Sequence, residues 1–444
     1  MSLKFRRLLM ATLTGSLLTG LTSIAHADST TDLVQALVSK GVLTEEEGAL
    51  LMKGRTNEVE VQKKKESKSW TSRVNIRGYV QTRNTTMLGG DEGINLWSDR
   101  SVGDDKSLGD ADKNFLIRRA RVIIFGDYGD HLSYYIQPDF ASSASGTNNI
   151  AQLRDAYGDV NFDKTKVHRI RVGQSKVPYG FENLQSSSNR LALDRNDALN
   201  SAVRDERDLG AFYYYTPTDV QALFEEINKQ GLKHSGNYGM FALGLYNGQG
   251  ANRAEQNDNY HVVSRLTYPW KTQSGQIYEA GIQAYKGEYV STTGAYSRLN
   301  PATGALASAT PTLGTGTPLS GRNGIDDERV GISFIMYPQP FGIQAEWNWG
   351  NTPGIDITKN VIEKKSLNGG YVQAMYKIDN FQFLSTNGTL IPFIKWQYFD
   401  GYNKAETNSP ENHVNDWELG VEWQLAPELE LTAVYHRMNR TNLV

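Results

Sequence analysis

Cysteine is missing from the 444-residue chain. Its absence excludes a disulfide framework, a thiol nucleophile and any thiolate metal site. Histidine is also scarce: the seven histidines are scattered along the sequence, and none has the spacing of a metal site or belongs to a nucleophile motif. We therefore expect no metal, no cofactor and no hydrolytic enzyme.

Long apolar runs are missing after the first thirty residues, so no later stretch has the length that a membrane-spanning helix needs. The one apolar run, residues 8–24, follows a basic start and precedes Ala25-His26-Ala27. A basic start, an apolar core and small residues at a cleavage site are typical of a secretory signal. We predict a signal peptide over residues 1–27 and export of the remaining chain.

An excess of positive charge is missing too. The chain carries 46 basic and 49 acidic residues, a formal net charge of −3. Because nucleic-acid-binding proteins are usually basic, we expect no nucleic-acid partner. Tyrosine and glycine are abundant instead, with 23 and 42 residues, a composition unlike that of a helical membrane protein.

Residues 28–69 form a separate region. Apolar residues follow a helical period between positions 32 and 52, and Thr44 and Glu47 have the spacing of a capping box. Two helices this short cannot bury a core alone, so they either pack on a partner copy or on the main domain, or stay solvated and mobile. Residues 63–68 are a charged linker at the domain boundary. We predict a periplasmic helical extension.

From residue 70 the hydrophobic period changes to two. On the first strand one face is mostly apolar and the other is polar throughout, with Arg73, Asn75, Arg77, Tyr79, Gln81 and Arg83. Fourteen further segments have the character of strands, with the clearest alternation at residues 413–425, and long polar loops, such as 351–365, alternate with tight turns between them. One periplasmic connection, residues 217–237, contains a short amphipathic helix started by Thr218. This pattern is typical of an outer-membrane barrel with one face in lipid and the other in a wet lumen. The predicted fold class is all-β, a transmembrane antiparallel β-barrel over residues 70–444.

The number of strands predicts that the first strand has no closing neighbour in this sequence. If the first of fifteen antiparallel strands runs toward the outside, the fifteenth runs in the same direction. A closed antiparallel barrel needs a last strand that runs back and pairs with the first. No such segment precedes Val444. We therefore expect a sixteenth, closing strand that this sequence lacks, unless the count is wrong by one.

Several motifs point to a family. They are Arg118-Arg119-Ala120-Arg121, Arg171-Val172-Gly173-Gln174-Ser175-Lys176, Asp194-Arg195, Arg207-Asp208-Leu209-Gly210 and Leu245-Tyr246-Asn247-Gly248. With these motifs the chain resembles the phosphate-selective porin O and P family over residues 70–438, most strongly over 115–250.

The resemblance implies a sixteen-stranded outer-membrane porin of a Gram-negative bacterium, a homotrimer in contact with outer-membrane lipid. It implies a third loop, about residues 175–207, that folds inward as a constriction. It also implies basic side chains along a path for inorganic anions such as phosphate, or for small polar solutes.

Basic residues of the strands and the third loop are the candidates for this path. They are Arg73, Arg77, Arg83, Arg119, Arg121, Arg169, Arg171, Lys176, Arg190, Arg195, Arg204 and Arg207. Arginine offers an oxyanion a bidentate fork and lysine offers a point charge. Strict alternation places Arg118 on the face opposite Arg119 and Arg121, unless the strand is bulged.

Other interpretations stay open. In a general-diffusion porin without anion preference, the arginines would pair with lumenal acids, here Asp155, Asp159, Glu279, Glu418 and Glu422. The third loop also holds acids of its own, so its basic excess is slight. A plugged barrel with a structural or adhesive role is a further class, which only a conductance measurement separates from a porin.

Overall fold

The computed structural model describes residues 34, 36–40, 42–53, 73–89, 113–144, 147–299, 304–314, 324–383 and 386–443. The predicted signal peptide, the charged linker and residues 90–112 of the first long loop lie outside these ranges. The chain divides into two compact units, Met1–Arg73 and Val74–Val444.

Two short helices make up the described part of the first unit, α1 at residues 36–39 and α2 at 45–53. The predicted capping box precedes α2: the Glu47 backbone N–H donates to the Thr44 hydroxyl at 3.2 Å, and the Thr44 N–H donates to the Glu47 carboxylate at 2.9 Å. Leu50 and Leu51 remain exposed on α2. Among the described residues, no helix combines the length and the apolar character that a bilayer crossing requires.

The second unit is built from strands. They are β1 (Asn75–Thr86), β2 (Lys113–Tyr128), β3 (Leu132–Ala144), β4 (Thr147–Asn161), β5 (His168–Lys176), β6 (Arg207–Tyr215), β7 (Phe241–Tyr246), β8 (His261–Lys271), β9 (Ile277–Tyr289), β10 (Tyr296–Leu299), β11 (Leu306–Ala309), β12 (Thr312–Leu313), β13 (Ile325–Met336), β14 (Phe341–Asp356), β15 (Val361–Tyr376), β16 (Ile378–Phe383), β17 (Thr386–Tyr402), β18 (Glu411–Ala426), β19 (Leu429–Arg437) and β20 (Arg440–Leu443).

Neighbours in sequence pair as antiparallel neighbours in one sheet. The order runs from β1 to β9 and then through β13, β14, β15, β17, β18 and β19. β16 prolongs β15 along β17, and β20 prolongs β19 along β18. These fifteen antiparallel neighbours correspond to the fifteen strands predicted from the sequence. Among the described residues no pairing joins β1 to β19, so the sheet is not closed.

Alternating burial divides the sheet into two faces. On β13, Asp327 and Arg329 are buried, whereas Val330 and Ile332 are each 47% exposed. Strands paired on both sides satisfy their backbone groups, which a hydrocarbon environment demands, and put apolar side chains outward. The predicted all-β barrel pattern of a polar inner face and an apolar outer face is confirmed.

Aromatic side chains stack on the outer face. Trp347 stacks with Trp396 and Tyr398, with ring centroids 6.1 and 6.0 Å away. Trp270 stacks on Tyr278 at 5.4 Å near the opposite ends of the strands. Rings with one apolar and one polar part suit the two membrane interfaces.

The expectation of a long loop over residues 351–365 was wrong. β14 and β15 stay in register up to the pair Asp356 and Val361, and the turn between them is short. This part of the hairpin carries polar residues on both faces, so the period of two that marks a bilayer-crossing strand disappears from the sequence.

Short helices connect some strands. α3 (Phe181–Leu184), α4 (Asp197–Asn200) and a 3₁₀ turn (Arg204–Glu206) lie between β5 and β6, and α5 (Thr218–Lys229) lies between β6 and β7. α5 begins at Thr218, as the sequence predicted. Its buried residues follow a spacing of three to four, Val220, Phe224 and Ile227, so one face packs against the sheet.

Two of the family motifs meet at Asp208. Its buried carboxylate accepts backbone N–H bonds from Leu209 at 2.7 Å, Gly248 at 2.8 Å and Gly250 at 2.9 Å. Gly248 has a φ of +91°, a conformation that favours glycine, and a Cβ there would overlap the imidazole of His261. The motif glycine thus lets the loop after β7 close over Asp208.

Gly248→Ala should destabilise the folded protein by about 2–4 kcal/mol, because backbone strain adds to the overlap with His261. Gly275→Ala is the matched control: its φ is +90°, but no atom lies within 4 Å of the added Cβ. It should cost only about 1 kcal/mol. The urea midpoints of the two refolded variants measure the loss of stability in each. Equal losses of stability would contradict the steric explanation.

Candidate functional site

A bulge decides where the arginines of β2 point. Gln81 of β1 pairs with Arg119, but the next residue, Thr82, pairs with Ile117, so Arg118 is the extra residue. The extra residue of a bulge has no partner on the neighbouring strand, so its side chain need not follow the alternation of inward and outward positions. The bulge is the exception that the alternation argument allowed for, and Arg118 lies beside lumenal groups with Asp194 and Arg83 among its electrostatic neighbours.

Three guanidinium groups lie close together at this point, and we call them the arginine cluster: the half-buried Arg118 and the buried Arg119 and Arg190. Arg119 is 3% exposed and donates to the Gln81 side chain at 2.5 Å. Arg190 is 5% exposed and donates to the carbonyls of Ala192 and Leu193. Within the described ranges, no member of the cluster has a carboxylate at ion-pair distance.

The acids nearest to the cluster are already engaged. Asp194 lies 2.8 Å from Arg83, and Glu182 lies 2.7 Å from Lys395. Cluster atoms also stay unpartnered: Nε of Arg118, Nε of Arg119 and one terminal nitrogen of Arg190 are buried without a hydrogen-bond partner in the described structure. The cluster therefore concentrates positive charge and has buried N–H donors that no group in the described structure accepts.

Other candidate arginines are paired with acids. Arg121 lies 2.7 Å from Asp139, and Arg171 holds both oxygens of Asp159, at 2.7 and 2.9 Å. Arg207 bonds both Asp155, at 3.0 Å, and Glu206, at 2.7 Å, and Arg195 bonds Glu206 as well. Pairing of this kind is what the general-diffusion alternative required.

The remaining candidates have varied surroundings. Arg77 of β1 is exposed, with its guanidinium 5.0 Å from the ring centre of Phe125. Arg169 donates to the Asn237 carbonyl at 2.6 Å, and Arg204 donates to the Ala405 carbonyl at 3.0 Å. Arg73 precedes β1 and belongs to the first unit.

Lys176 is tied to the third loop. We call the segment between β5 and β6, residues 177–206, L3. The Lys176 ammonium, 5% exposed, donates to the carbonyls of Leu184 at 2.9 Å and Gln185 at 2.6 Å. Its charge holds the first part of L3 in place instead of standing free.

The first half of L3 is also held by distant strands. The Glu346 carboxylate of β14 accepts the backbone N–H groups of Phe181 at 2.6 Å and Glu182 at 2.8 Å. Lys395 of β17 pairs with Glu182. Since L3 is anchored between β5 and β6, these contacts mean that it crosses to strands far along the sheet.

The second half of L3 has equivalent ties. Arg329 of β13 donates to the carbonyls of Ala198 at 2.8 Å and Ser201 at 3.2 Å. Lys404, in the loop between β17 and β18, donates to the Ala202 carbonyl at 2.7 Å and bonds Asp327. Burial lowers the pKa of Lys404 to about 8, with Asp327 acting in the opposite direction.

No group of three or more histidine and acidic side chains in the described ranges is arranged to hold a metal ion.

A family model described as phosphate-selective porin O and P matches residues 92–442, well over half of the chain. The chain belongs to this family. It is an outer-membrane porin of Gram-negative type, and its family and fold are those of channels and not of enzymes.

Solved porin structures are similar to this porin at low identity. DcaP, an outer-membrane channel of Acinetobacter baumannii, is 16% identical, with 83% of this chain and 91% of that chain covered and a TM-score of 0.46. OmpF of Salmonella typhi in complex with daunomycin is 12% identical, with coverages of 82% and 89% and a TM-score of 0.47. An anion-selective porin of Comamonas acidovorans is 13% identical, with coverages of 83% and 89% and a TM-score of 0.43. No curated protein sequence matches the porin.

The residues that hold L3 of the porin were missed by sequence reasoning. Glu346, Arg329 and Lys395 are inward-facing charges on later strands, and Lys404 follows β17 in a loop. A charged residue at an inward position of a period-two strand was the available signal. The sequence does not say which of these charges meets L3, because that depends on how the loop crosses the lumen.

Lys176→Met should loosen L3, because two hydrogen bonds from a charged donor are lost, worth about 2 kcal/mol or more together. Protease cleavage within L3 of the folded porin should become faster. Lys164→Met, at an exposed position in the turn between β4 and β5, is the control and should leave cleavage unchanged. Unchanged L3 protection together with a lower anion permeability would instead mean that the Lys176 ammonium meets the solute.

Proposed function

We propose that this porin conducts small solutes with a preference for anions, and that the arginine cluster provides the preference. The observation that supports the proposal is the shortage of counter-charge around Arg118, Arg119 and Arg190. Asp194, the acid beside Arg118, is bonded to Arg83 at 2.8 Å, and Glu182, the acid beside Arg190, is paired with Lys395 at 2.7 Å.

A buried guanidinium without a counter-charge is unfavourable, and a mobile anion supplies the missing charge. Unpartnered N–H groups on three neighbouring side chains suit oxyanions such as phosphate, because arginine presents paired donors. Conduction requires that such binding stays weak enough for release. The cluster therefore fits a transient site along a path.

A general-diffusion porin is the second candidate function. The ion pairs Arg121–Asp139, Arg171–Asp159 and Arg207–Asp155 favour it, because each pair cancels lumenal charge. In that case the excess at the cluster would be too small to select among ions.

We also propose the homotrimer in outer-membrane lipid that the family resemblance implies. The mass of the native protein in detergent tests this: three copies per particle are expected, and a monomer would contradict it.

Arg119→Gln and Arg190→Gln should each lower the ratio of anion to cation permeability. A unit charge about 8 Å from the ion contributes about 1–2 kcal/mol at an effective dielectric of about 20–40, a factor of about five or more. The measurement is the reversal potential of the porin in a planar bilayer under a salt gradient. Phosphate should also block chloride current in the wild type and block it less in both variants.

Arg253→Gln is the matched control, since the same charge is removed from an exposed position in the loop between β7 and β8. Its reversal potential should equal that of the wild type. A wild type with no anion preference, or equal shifts in all three variants, would favour the general-diffusion function.

A further inference from the structure

The connection between α5 and β7 enters the interior of the barrel. We call residues 230–240 the strap. Lys233 and His234 are each 2% exposed and Ser235 is 5% exposed, although the strap was expected to be part of a periplasmic connection. L3 joins β5 to β6, and the strap leads from β6 to β7 at the other end of the strands. The two segments therefore enter from opposite ends.

The strap reaches L3. The Gln185 side chain donates to the Lys233 carbonyl at 2.5 Å, and the Asn189 side chain donates to the His234 carbonyl at 2.6 Å. Phe181 of L3 also shares an apolar cluster with Phe224 of α5. The inward segments from the two ends of the barrel are thus in direct contact.

The strap also reaches the opposite wall. The Lys233 ammonium pairs with the Glu422 carboxylate of β18, and both side chains are almost fully buried. β18 lies seven strands beyond β7 in the order of the sheet. A single ion pair therefore links the strap to strands across the lumen.

Arginines of the near wall hold the end of the strap that leads into β7. Arg169 donates to the Asn237 carbonyl at 2.6 Å, and Arg265 donates to the Gly239 carbonyl at 3.2 Å. The Arg171 guanidinium lies 5.7 Å from the ring centre of Tyr238. Arg169 and Arg171, expected from sequence on the anion path, thus also position the strap.

His234 adds no charge to this interior at neutral pH. Burial lowers the pKa of His234 to about 4, with Glu279 opposing and Arg265 reinforcing the shift. The Gly236 backbone N–H donates to Nδ1 of His234 at 3.2 Å, which leaves the proton of the neutral ring on Nε2.

We propose that the strap is a second constriction, which sets the size limit of the porin from the side opposite L3, and that the Lys233–Glu422 pair holds it across the lumen. The proposal concerns solute size, so it stands independently of the anion preference assigned to the arginine cluster. Removing one member of a buried pair leaves the other charge uncompensated, which releases the strap from β18.

Lys233→Met and Glu422→Gln test this in full-length porin. Single-channel conductance in a planar bilayer should rise roughly twofold in each variant, as expected when one of two narrow points in series is widened. Neutral sugars too large for the wild type should enter proteoliposomes. The anion-to-cation permeability ratio should shift in opposite directions in the two variants, because Lys233→Met leaves an uncompensated carboxylate and Glu422→Gln leaves an uncompensated ammonium. Conductance and sugar entry should rise in both, and this common change separates a failure here from a failure of the proposed anion preference.

Lys229→Met is the control, because the Lys229 side chain on α5 is 72% exposed and pairs with Glu225, itself 65% exposed. It should leave conductance and the sugar limit unchanged. Wild-type conductance and an unchanged sugar limit in both Lys233→Met and Glu422→Gln would overturn the proposal.

A labelling experiment supplies a second readout that does not depend on conductance. The chain has no cysteine, so Ser235→Cys introduces a unique thiol in the strap. A water-soluble maleimide should label it faster in the Glu422→Gln background than in the otherwise wild-type chain. Equal labelling rates in the two backgrounds would contradict release of the strap.

Discussion

Charge buried inside a barrel must find compensation, and this requirement arranges most of the interior described here. A buried ion loses its hydration and is tolerated only with a partner of opposite sign or several hydrogen bonds. Lys395 meets Glu182, Lys404 meets Asp327 and Lys233 meets Glu422. In each pair at least one member belongs to a segment that connects strands, so compensation of charge also fixes the path of the chain across the lumen.

The arginine cluster is the exception to this rule, and the proposed function depends on it. At the arginine cluster the bulge on β2 adds Arg118 to Arg119 and Arg190, and Asp194, the acid beside Arg118, is already bonded to Arg83. Elsewhere fixed carboxylates neutralise the arginines, as Asp159 does for Arg171. In the function that we propose, a passing anion supplies the missing compensation, and an irregularity in strand pairing is then linked to solute preference.

Sequence reasoning was strongest where the physics is local. Period-two alternation predicts β1 and β18, and a helical spacing predicts α5 at its observed start, Thr218. The same alternation places Arg119 and Arg121 on one face of β2, and both are buried. It was weakest where position depends on distant contacts: the bulge at Arg118 leaves no mark in the spacing, and nothing near Lys233 shows that Glu422 lies across the lumen from it.

Anomalous diffraction from porin crystals soaked in selenate tests the central claim most directly, because it locates an anion without reference to current. The account predicts a selenium peak from a selenate whose oxygens lie within hydrogen-bonding distance of Arg119 and Arg190, and a weaker peak when Arg119 is replaced by glutamine. A lumen with selenate bound at other arginines but none at the cluster would contradict it.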